Sequence, residues 1–572
     1  MRGFQAMISK RMRGWASLAA FVCVIALLGS CGKPPVKPAD AARSVLKTRV
    51  GPAGADGPVY CRRDKLCGSD VLPAFYRARD CRPAWIDDAL SLSDAAAFLE
   101  ALRLVSGDGL DPENYHLAAL ESLVREIKPA NGKKPRQVRP EALADLEMLL
   151  TDAFLLCGSH LVHGQVNPET IQSEWFINGR YEDLAAVLEK GLAAKDVPGA
   201  LDSLRPSHAV YRGLKRAFGR YRDLAGAGGW PGFSPGPKLV KGDRGARVET
   251  LKKVFAVMGD LTVAEEEGDP TLFDEGLVRS VKAFQRRHGL EPDGAVGAET
   301  ATALNVPAAE RLMQLRANLE RWRWITQDLG KRYVLVNVAD FRVAVVEAGR
   351  EVLSMPAIVG SAYRHTPEFS GRMTYIEINP AWTVPPKLAR EDILPKLIKN
   401  PGYLKEKGIR IYRDWTEGAP EIDSAAVDWS QVKADALSYK FRQDPGPHNS
   451  LGRIKFVFPN KFDVYLHDTP ERGLFSRAVR DFSSGCIRVE RPVDLAEYVL
   501  RGDPDWTREK ILAAIEGLET RVVYLRDPLG VHLLYWTAWL ADDGRVHFRK
   551  DIYLRDVALY KALEQHASVS DK

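Results

Sequence analysis

Apolar residues recur at helical spacing through the first half of the chain and at strand spacing through the second. Between about Asp70 and Arg222, Ala95, Phe98, Leu99, Leu102 and Val105 stand three or four positions apart, as do most of Leu146, Leu149, Leu150, Ala153 and Leu156. That spacing gathers each set on one face of a helix. A second helical unit runs from Lys238 to about Pro307. Val248, Leu251, Phe255 and Met258 form one apolar stripe, and Leu277, Val281 and Phe284 form another. Gly289 falls where a helix would end, and Asp293-Gly294 predicts a turn before Thr300–Leu304. From Tyr333 the period changes to two. Tyr333–Val338 and Val343–Val346 are β-rich runs separated near Asp340, and Ile454–Phe458 with Phe462–His467 predicts a hairpin around Pro459-Asn460. Val531–Phe548 reads as two strands joined at Asp542-Asp543-Gly544, and Lys387 to about Pro445 as an insertion of mixed, partly helical character.

Glycine and proline mark the joints. Gly226–Pro237 is a linker, and the Pro-, Ala- and Gly-rich stretch from Lys33 to about Pro58 suits a tether. The N-terminus carries Arg2, Lys10, Arg11 and Arg13 before an uncharged run of fourteen residues from Trp15 to Leu28. Such a run is shorter than the ~20 residues of a membrane span and fits the apolar region of an export signal. Leu28-Gly29-Ser30-Cys31 resembles a bacterial lipobox, in which the cysteine is lipidated and becomes the mature N-terminus. The alternative is an ordinary signal peptide in which Cys31 is incidental. The expected order is an export signal at 1–31, a tether at 32–69, a helical scaffold at 70–235, a three-helix unit at 236–308, a β-rich domain at 309–526 with its insertion at about 387–445, and a C-terminal extension at 527–572.

Composition narrows the function classes. A length of 572 residues predicts several domains, and 45% hydrophobic with 27% charged residues argues against a disordered or polytopic membrane protein. The net charge of +6 comes from interspersed charges and gives no nucleic-acid signal. Seven cysteines are too few for a disulfide scaffold. If Cys23 is removed and Cys31 acylated, the neighbours Cys61, Cys67 and Cys81 leave room for one disulfide in an oxidising compartment, with its connectivity open. Cys157 and Cys486 remain.

Along Phe462–His467 the period of two puts Asp463, Tyr465 and His467 on one side, with His467 at the strand's end. Nineteen residues on stands Ser483-Ser484-Gly485-Cys486-Ile487-Arg488. A thiol needs a base or cation to become a thiolate near neutral pH, and a histidine supplies one. Gly485 admits backbone geometries that a Cβ disfavours, so that successive amides could face one oxyanion. One Cys and one His do not by themselves define an enzyme. However, Tyr465-Leu466-His467-Asp468-Thr469-Pro470 followed by Ser483–Arg488 resembles the catalytic motif of the L,D-transpeptidases. Ser484 stands where that family usually has a second histidine, a departure found in its large multi-domain branch. Val359–Pro367, Ile378–Trp382, Val384-Pro385-Pro386, Asn449–Gly452 and Tyr535-Trp536-Thr537 are similar to the same branch, as are Asp108-Gly109-Leu110 and Ser159–Gly164 in its scaffold. Ala283–Leu290, with Asp293-Gly294, Gly297 and Thr300, resembles the peptidoglycan-binding domain found beside many cell-wall enzymes.

The resemblance implies a multi-domain protein made of an α-helical scaffold, a small three-helix peptidoglycan-binding domain and a mainly-β L,D-transpeptidase domain with a partly helical capping insertion. It implies Cys486 as nucleophile and His467 as base, with a backbone carbonyl, Asp468 being the candidate, orienting the imidazole. Amides around Gly485 and Cys486 would stabilise the oxyanion, in a loop that includes Ser484. Arg488, Tyr465, Trp382 and Asn449 would serve substrate or structure. No metal or organic cofactor is implied, since a thiolate and an oxyanion hole supply the chemistry. The expected partners are peptidoglycan peptide stems and, through lipid on Cys31, a membrane, with no nucleic acid. The expected place is the periplasm, anchored to the outer membrane. The acceptor could be a second stem, water or another amine, and a non-catalytic wall-binding lipoprotein is the reading of a different class. Cys157, His160 and His163 are spaced for a metal, but at about 100° per residue 157 and 163 diverge around a helix, which favours plain packing.

Overall fold

The computed structural model describes residues 36–569 apart from 52–58, 62–63, 69, 129–137, 173–174, 178, 262–267 and 542. The export signal expected at 1–31, with Cys31, lies outside the described residues.

The chain divides into two units, the first built from residues up to Leu99, His116–Leu155 and Glu189–Val197. Its described part opens with a helix, Pro38–Val50, inside the stretch expected to be a tether. Pro38 suits a helix start, and Ala42, Leu46 and Val50 form a buried stripe that the Pro- and Ala-rich composition masks. Glu147, fully buried, accepts from the Trp85 and Ile86 amides at 2.8 Å each and from the Tyr76 hydroxyl at 3.1 Å; burial pushes its carboxyl up to about 7. Here the disulfide expectation fails. Cys67 and Cys81 are free thiols, and Cys61 directs its sulfur at the Asp145 carboxylate, 3.5 Å away.

The second unit comprises Glu100–Tyr115, Leu156–Leu188 and Pro198–Lys572. Its three-helix part consists of Ala246–Met258, Glu275–Arg287 and Ala298–Leu304. The expected stripes meet in one core, with Val248, Leu251, Phe255, Leu277, Val281 and Phe284 all inaccessible. Asp274 caps the second helix by accepting from the Leu277 amide at 2.8 Å, and Gly289 follows that helix in the left-handed conformation.

Among the described residues nine strands form the main sheet: β1 Trp175–Phe176, β2 Arg332–Asn337, β3 Arg342–Glu347, β4 Arg350–Ile358, β5 Glu368–Ile378, β6 Ile454–Val457, β7 Leu466–His467, β8 Ile487–Val489 and β9 Arg521–Leu534. Ala348 and Gly349, both at positive φ, make the tight turn that joins β3 to β4. The order is β6-β7-β8-β4-β3-β2-β9-β5, β5 pairs back onto β6 to close the ring, and β1 adds to β5. Alternate residues such as Val334, Val336, Val343, Val345, Ile376, Phe456, Leu466 and Ile487 fill the interior. β9 runs through the boundary expected at 526/527, so the start of the C-terminal extension is a central strand. Beyond it Ala538–Leu540 pairs with Val546–Phe548, and the helix Arg555–Val569 follows.

The expected hairpin around Pro459-Asn460 is looser than a two-residue turn. Such a turn would set Gly452 opposite His467, whereas the observed partner is Lys455, three residues on. Asn460 accounts for the slip: its side-chain amide donates to the Phe458 and Val464 carbonyls, each at 2.7 Å, and holds a wide loop in which Asp463 is left-handed. The insertion carries more strand than expected. Trp382–Thr383, Ile409–Tyr412, Glu421–Ile422 and Lys440–Gln443 form a four-stranded sheet over a separate core around Leu397, Trp429 and Phe441.

Candidate active site

Leu466 of β7 and Ile487 of β8 are register partners, both inaccessible within the core. The pleat therefore turns Tyr465, His467, Cys486 and Arg488 to the outer face. Parallel pairing sets Cys486 beside Tyr465 and His467 beside Arg488, so the expected base and nucleophile are diagonal neighbours. Among the described residues no hydrogen bond joins them directly. Tyr465 stands between them, with its ring 5.7 Å from that of His467 and its hydroxyl among the groups that favour the Cys486 thiolate.

The thiol is half-buried at the sheet surface, and its sulfur lies 3.7 Å from the Asp463 carbonyl. Loss of water raises its pKa above the ordinary thiol value, while hydrogen bonding from the Tyr465 main chain and hydroxyl, and the Lys455 and Arg488 charges, pull the other way. His467 is buried, and desolvation, reinforced by the Arg488 and Lys455 charges, lowers it to about 3. Its Nδ1 donates to the Asp468 carbonyl at 2.5 Å, which leaves Nε2 as the acceptor of the neutral ring. Both partners are thus neutral at rest near pH 7.

The loop before Cys486 is braced from two directions. Gly485 takes φ +117°, a conformation open to glycine, and its amide donates to Ser483 Oγ at 3.1 Å, while Ser483 Oγ donates to the Cys486 carbonyl. Of the two amides expected to face an oxyanion, Gly485's is therefore engaged; the Cys486 N–H has no acceptor among the described residues. Thr366, wholly buried, donates through Oγ1 to the Gly485 carbonyl at 2.8 Å and accepts from the Gly360 amide at 2.9 Å. Tyr553, just before the last helix, donates to the Gly360 carbonyl at 2.6 Å, accepts from the Thr366 amide at 3.2 Å and stacks on His365. On the other side Arg364 donates to Ser484 Oγ at 3.0 Å and grips Asp392 and Glu391 of the insertion, at 2.6 and 2.8 Å. The insertion is thereby tied to the residue two before Cys486.

The remaining expected residues take structural places. Arg488 pairs with Glu471. Asn449 is buried, donating to the carbonyls of Pro380 and Asp444 at 3.0 Å each, and so holds the strap after the insertion. Trp382 packs on the insertion's core, and Trp536 stacks on Trp322 at 4.4 Å. Cys157 is buried, and His160 bonds the Tyr115 hydroxyl at 3.0 Å. Thr366, Tyr553, Arg364 and Lys455 were not singled out by sequence; the Thr-Pro in Val359–Pro367 was the one local signal that touched them.

Sequence signatures of three families match the chain: an L,D-transpeptidase catalytic domain over residues 331–507, a "Putative peptidoglycan binding domain" over 244–304 and a scaffold domain over 70–218. The chain carries an L,D-transpeptidase catalytic domain. A Haemophilus influenzae protein named "Putative L,D-transpeptidase" is 33% identical over 220 residues, which are 38% of this chain and 44% of that protein. The match thus spans less than half of that relative. Among solved structures, an L,D-transpeptidase from Stackebrandtia nassauensis is 13% identical over 53% of this chain and 97% of its own, with a TM-score of 0.21. One from Xylanimonas cellulosilytica is 15% identical over 53% and 100%, with a TM-score of 0.16. At such TM-scores these two likenesses carry no argument. The transpeptidase domain's signature ends at 507, short of β9, although β9 completes its sheet.

Proposed function

We propose that the protein is an L,D-transpeptidase that forms 3–3 cross-links in peptidoglycan through a thioester on Cys486. The observation that carries this reading is the placing of Cys486, Tyr465 and His467 on one face of the transpeptidase domain's sheet, above a loop braced at Gly485. In the first half-reaction His467 Nε2 takes the thiol proton and the sulfur attacks the carbonyl before the terminal D-Ala of a tetrapeptide stem. The S–C bond forms, the C–N bond breaks, and the imidazolium returns its proton to the departing D-Ala amine. The Cys486 amide would donate to the oxyanion. In the second half-reaction the amine of another stem's diamino acid attacks the thioester, the thiolate leaves, and the amine's proton passes to His467 and on to the thiol. The insertion, held by Arg364, would cap the cleft during both steps, while the three-helix domain binds the wall. The reading includes export to the periplasm with lipid anchoring through Cys31 to the outer membrane.

Incubation with a disaccharide-tetrapeptide, followed by mass, tests it. The expected product is a dimer lacking one D-Ala, absent from Cys486→Ala. Loss of D-Ala without dimer would make water the acceptor, and activity that survives Cys486→Ala would overturn the mechanism.

A further inference from the structure

Across β8-β7-β6-β5 the register lines up two rows on the outer face. One reads Cys486, Tyr465, Val457, Tyr375; the other reads Arg488, His467, Lys455, Glu377. Neighbouring strands lie about 4.8 Å apart, so Lys455 and Glu377 stand two and three strands from the nucleophile's own, in line with its base. The Lys455 ammonium sits 4.4 Å from the centre of the Tyr465 ring, and Tyr465 is the residue beside Cys486 on the neighbouring strand. Lys455 and Glu377 face each other at 3.4 Å, long for a charge-assisted hydrogen bond, with side chains 19% and 20% exposed. The pair Lys253–Glu249, by contrast, is 64% and 39% exposed. Among the described residues each is the other's sole ion-pair partner, so an ammonium with three donors and a carboxylate with two acceptor oxygens keep capacity for further partners on the sheet's outer face.

From this juxtaposition we infer that Glu377 and Lys455 form a subsite for an α-amino-carboxylate group, the free zwitterionic end of a diamino-diacid side chain in a peptide stem. The ligand's carboxylate meets Lys455 and its ammonium meets Glu377, replacing one loose contact with two short ones. The inference rests on the acyl-transfer reading and adds which stem it selects. A lysine stem offers the amine without the carboxylate, and an amidated diaminopimelate stem lacks the negative charge.

The test compares D-Ala release by the full-length protein from tetrapeptide stems carrying free diaminopimelate, amidated diaminopimelate or lysine. The wild type should prefer the free form about tenfold in kcat/KM, the factor expected for one charged hydrogen bond. Lys455→Gln should bring the free-to-amidated ratio close to one; because the ratio is taken within each variant, any general loss through the neighbouring thiol cancels. Glu377→Gln should do the same for free against N-acetylated amine. The charge-swapped Glu377→Lys, Lys455→Glu variant keeps the ion pair, so it would restore the ratio only if the pair's role were structural, and that result would overturn the proposal. Binding of the three stems to Cys486→Ala, with and without Lys455→Gln, tests the subsite apart from the chemistry. Equal binding of free and amidated stems sinks the subsite whatever the turnover shows, while a wild type that prefers free stems in binding yet releases no D-Ala sinks the acyl-transfer reading alone.

Discussion

Replacing Thr366 by Val isolates the brace beneath the nucleophile. Val keeps the shape of Thr and removes only Oγ1, the atom that donates to the Gly485 carbonyl at 2.8 Å and accepts from the Gly360 amide at 2.9 Å. Thr366 is wholly inaccessible, so water cannot reach either orphaned group without disrupting the packing. A buried polar group left without its partner costs about 1–3 kcal/mol, and two of them, with partial relaxation, about 3 kcal/mol. For a unit of this size about 2–4 °C accompany each kcal/mol, so the transition of the transpeptidase domain should fall by about 6–12 °C in scanning calorimetry. Thr366→Ser is the control: it keeps both hydrogen bonds and deletes a methyl group, for about 1 kcal/mol. Val should therefore melt well below Ser, and alkylation of Cys486 by iodoacetamide should change in Val more than in Ser, because Gly485 precedes the nucleophile. If Val melts at or above Ser, Oγ1 braces nothing.

Two more outcomes follow from the same site. His467 is held at about 3 in the folded state, below the ordinary ~6.5. The unfolded chain therefore takes up that proton first, and stability present above pH 6.5 is lost as pH falls from there toward 3. His467→Gln should flatten this limb in thermal unfolding against pH; an unchanged limb would assign the acid loss elsewhere. Asp392→Asn removes one carboxylate from the Arg364 grip, so amide exchange in the insertion's helix Leu394–Lys399 should quicken about tenfold, and unchanged protection would show that the insertion is held by other contacts.

That His467 and Cys486 belong to one site was readable as an expectation because they lie in two short local strings, each within one strand and its adjoining loop, and the register brings those strands side by side. The three-helix unit was legible because its stripes are long and carry their own caps. Lys455 and Glu377 were not, because their place depends on register, and register here is set by the side chain of Asn460 holding a wide loop. Thr366 and Tyr553 meet across nearly two hundred residues of chain, and nothing local marks such a contact. The helix Pro38–Val50 was hidden for a different reason: three apolar residues at spacing four are a weak stripe within a Pro- and Ala-rich composition. The insertion's sheet escaped notice because its strands are two to four residues long, too short for a period to declare itself.

The charges around the nucleophile do less for proton transfer than their proximity suggests. Lys455 and Arg488 lower the thiol, which favours thiolate, but they also lower the imidazole, which disfavours imidazolium. Moving a proton from sulfur to nitrogen leaves the charge of the pair unchanged at zero, so cations near both members largely cancel. Groups that act on one member alone do not cancel. The Tyr465 hydroxyl and amide stabilise the sulfur's negative charge, and the Asp468 and Leu451 carbonyls stabilise the imidazole's positive charge. Burial opposes both charged forms, which keeps the resting site neutral. The directional groups, therefore, and not the general positive field, set how easily the ion pair forms once a substrate carbonyl lies against Cys486. Arg488 is taken up by Glu471, whereas Lys455 remains available for another task, and the subsite proposed on the row next to His467 gives it one in recognition.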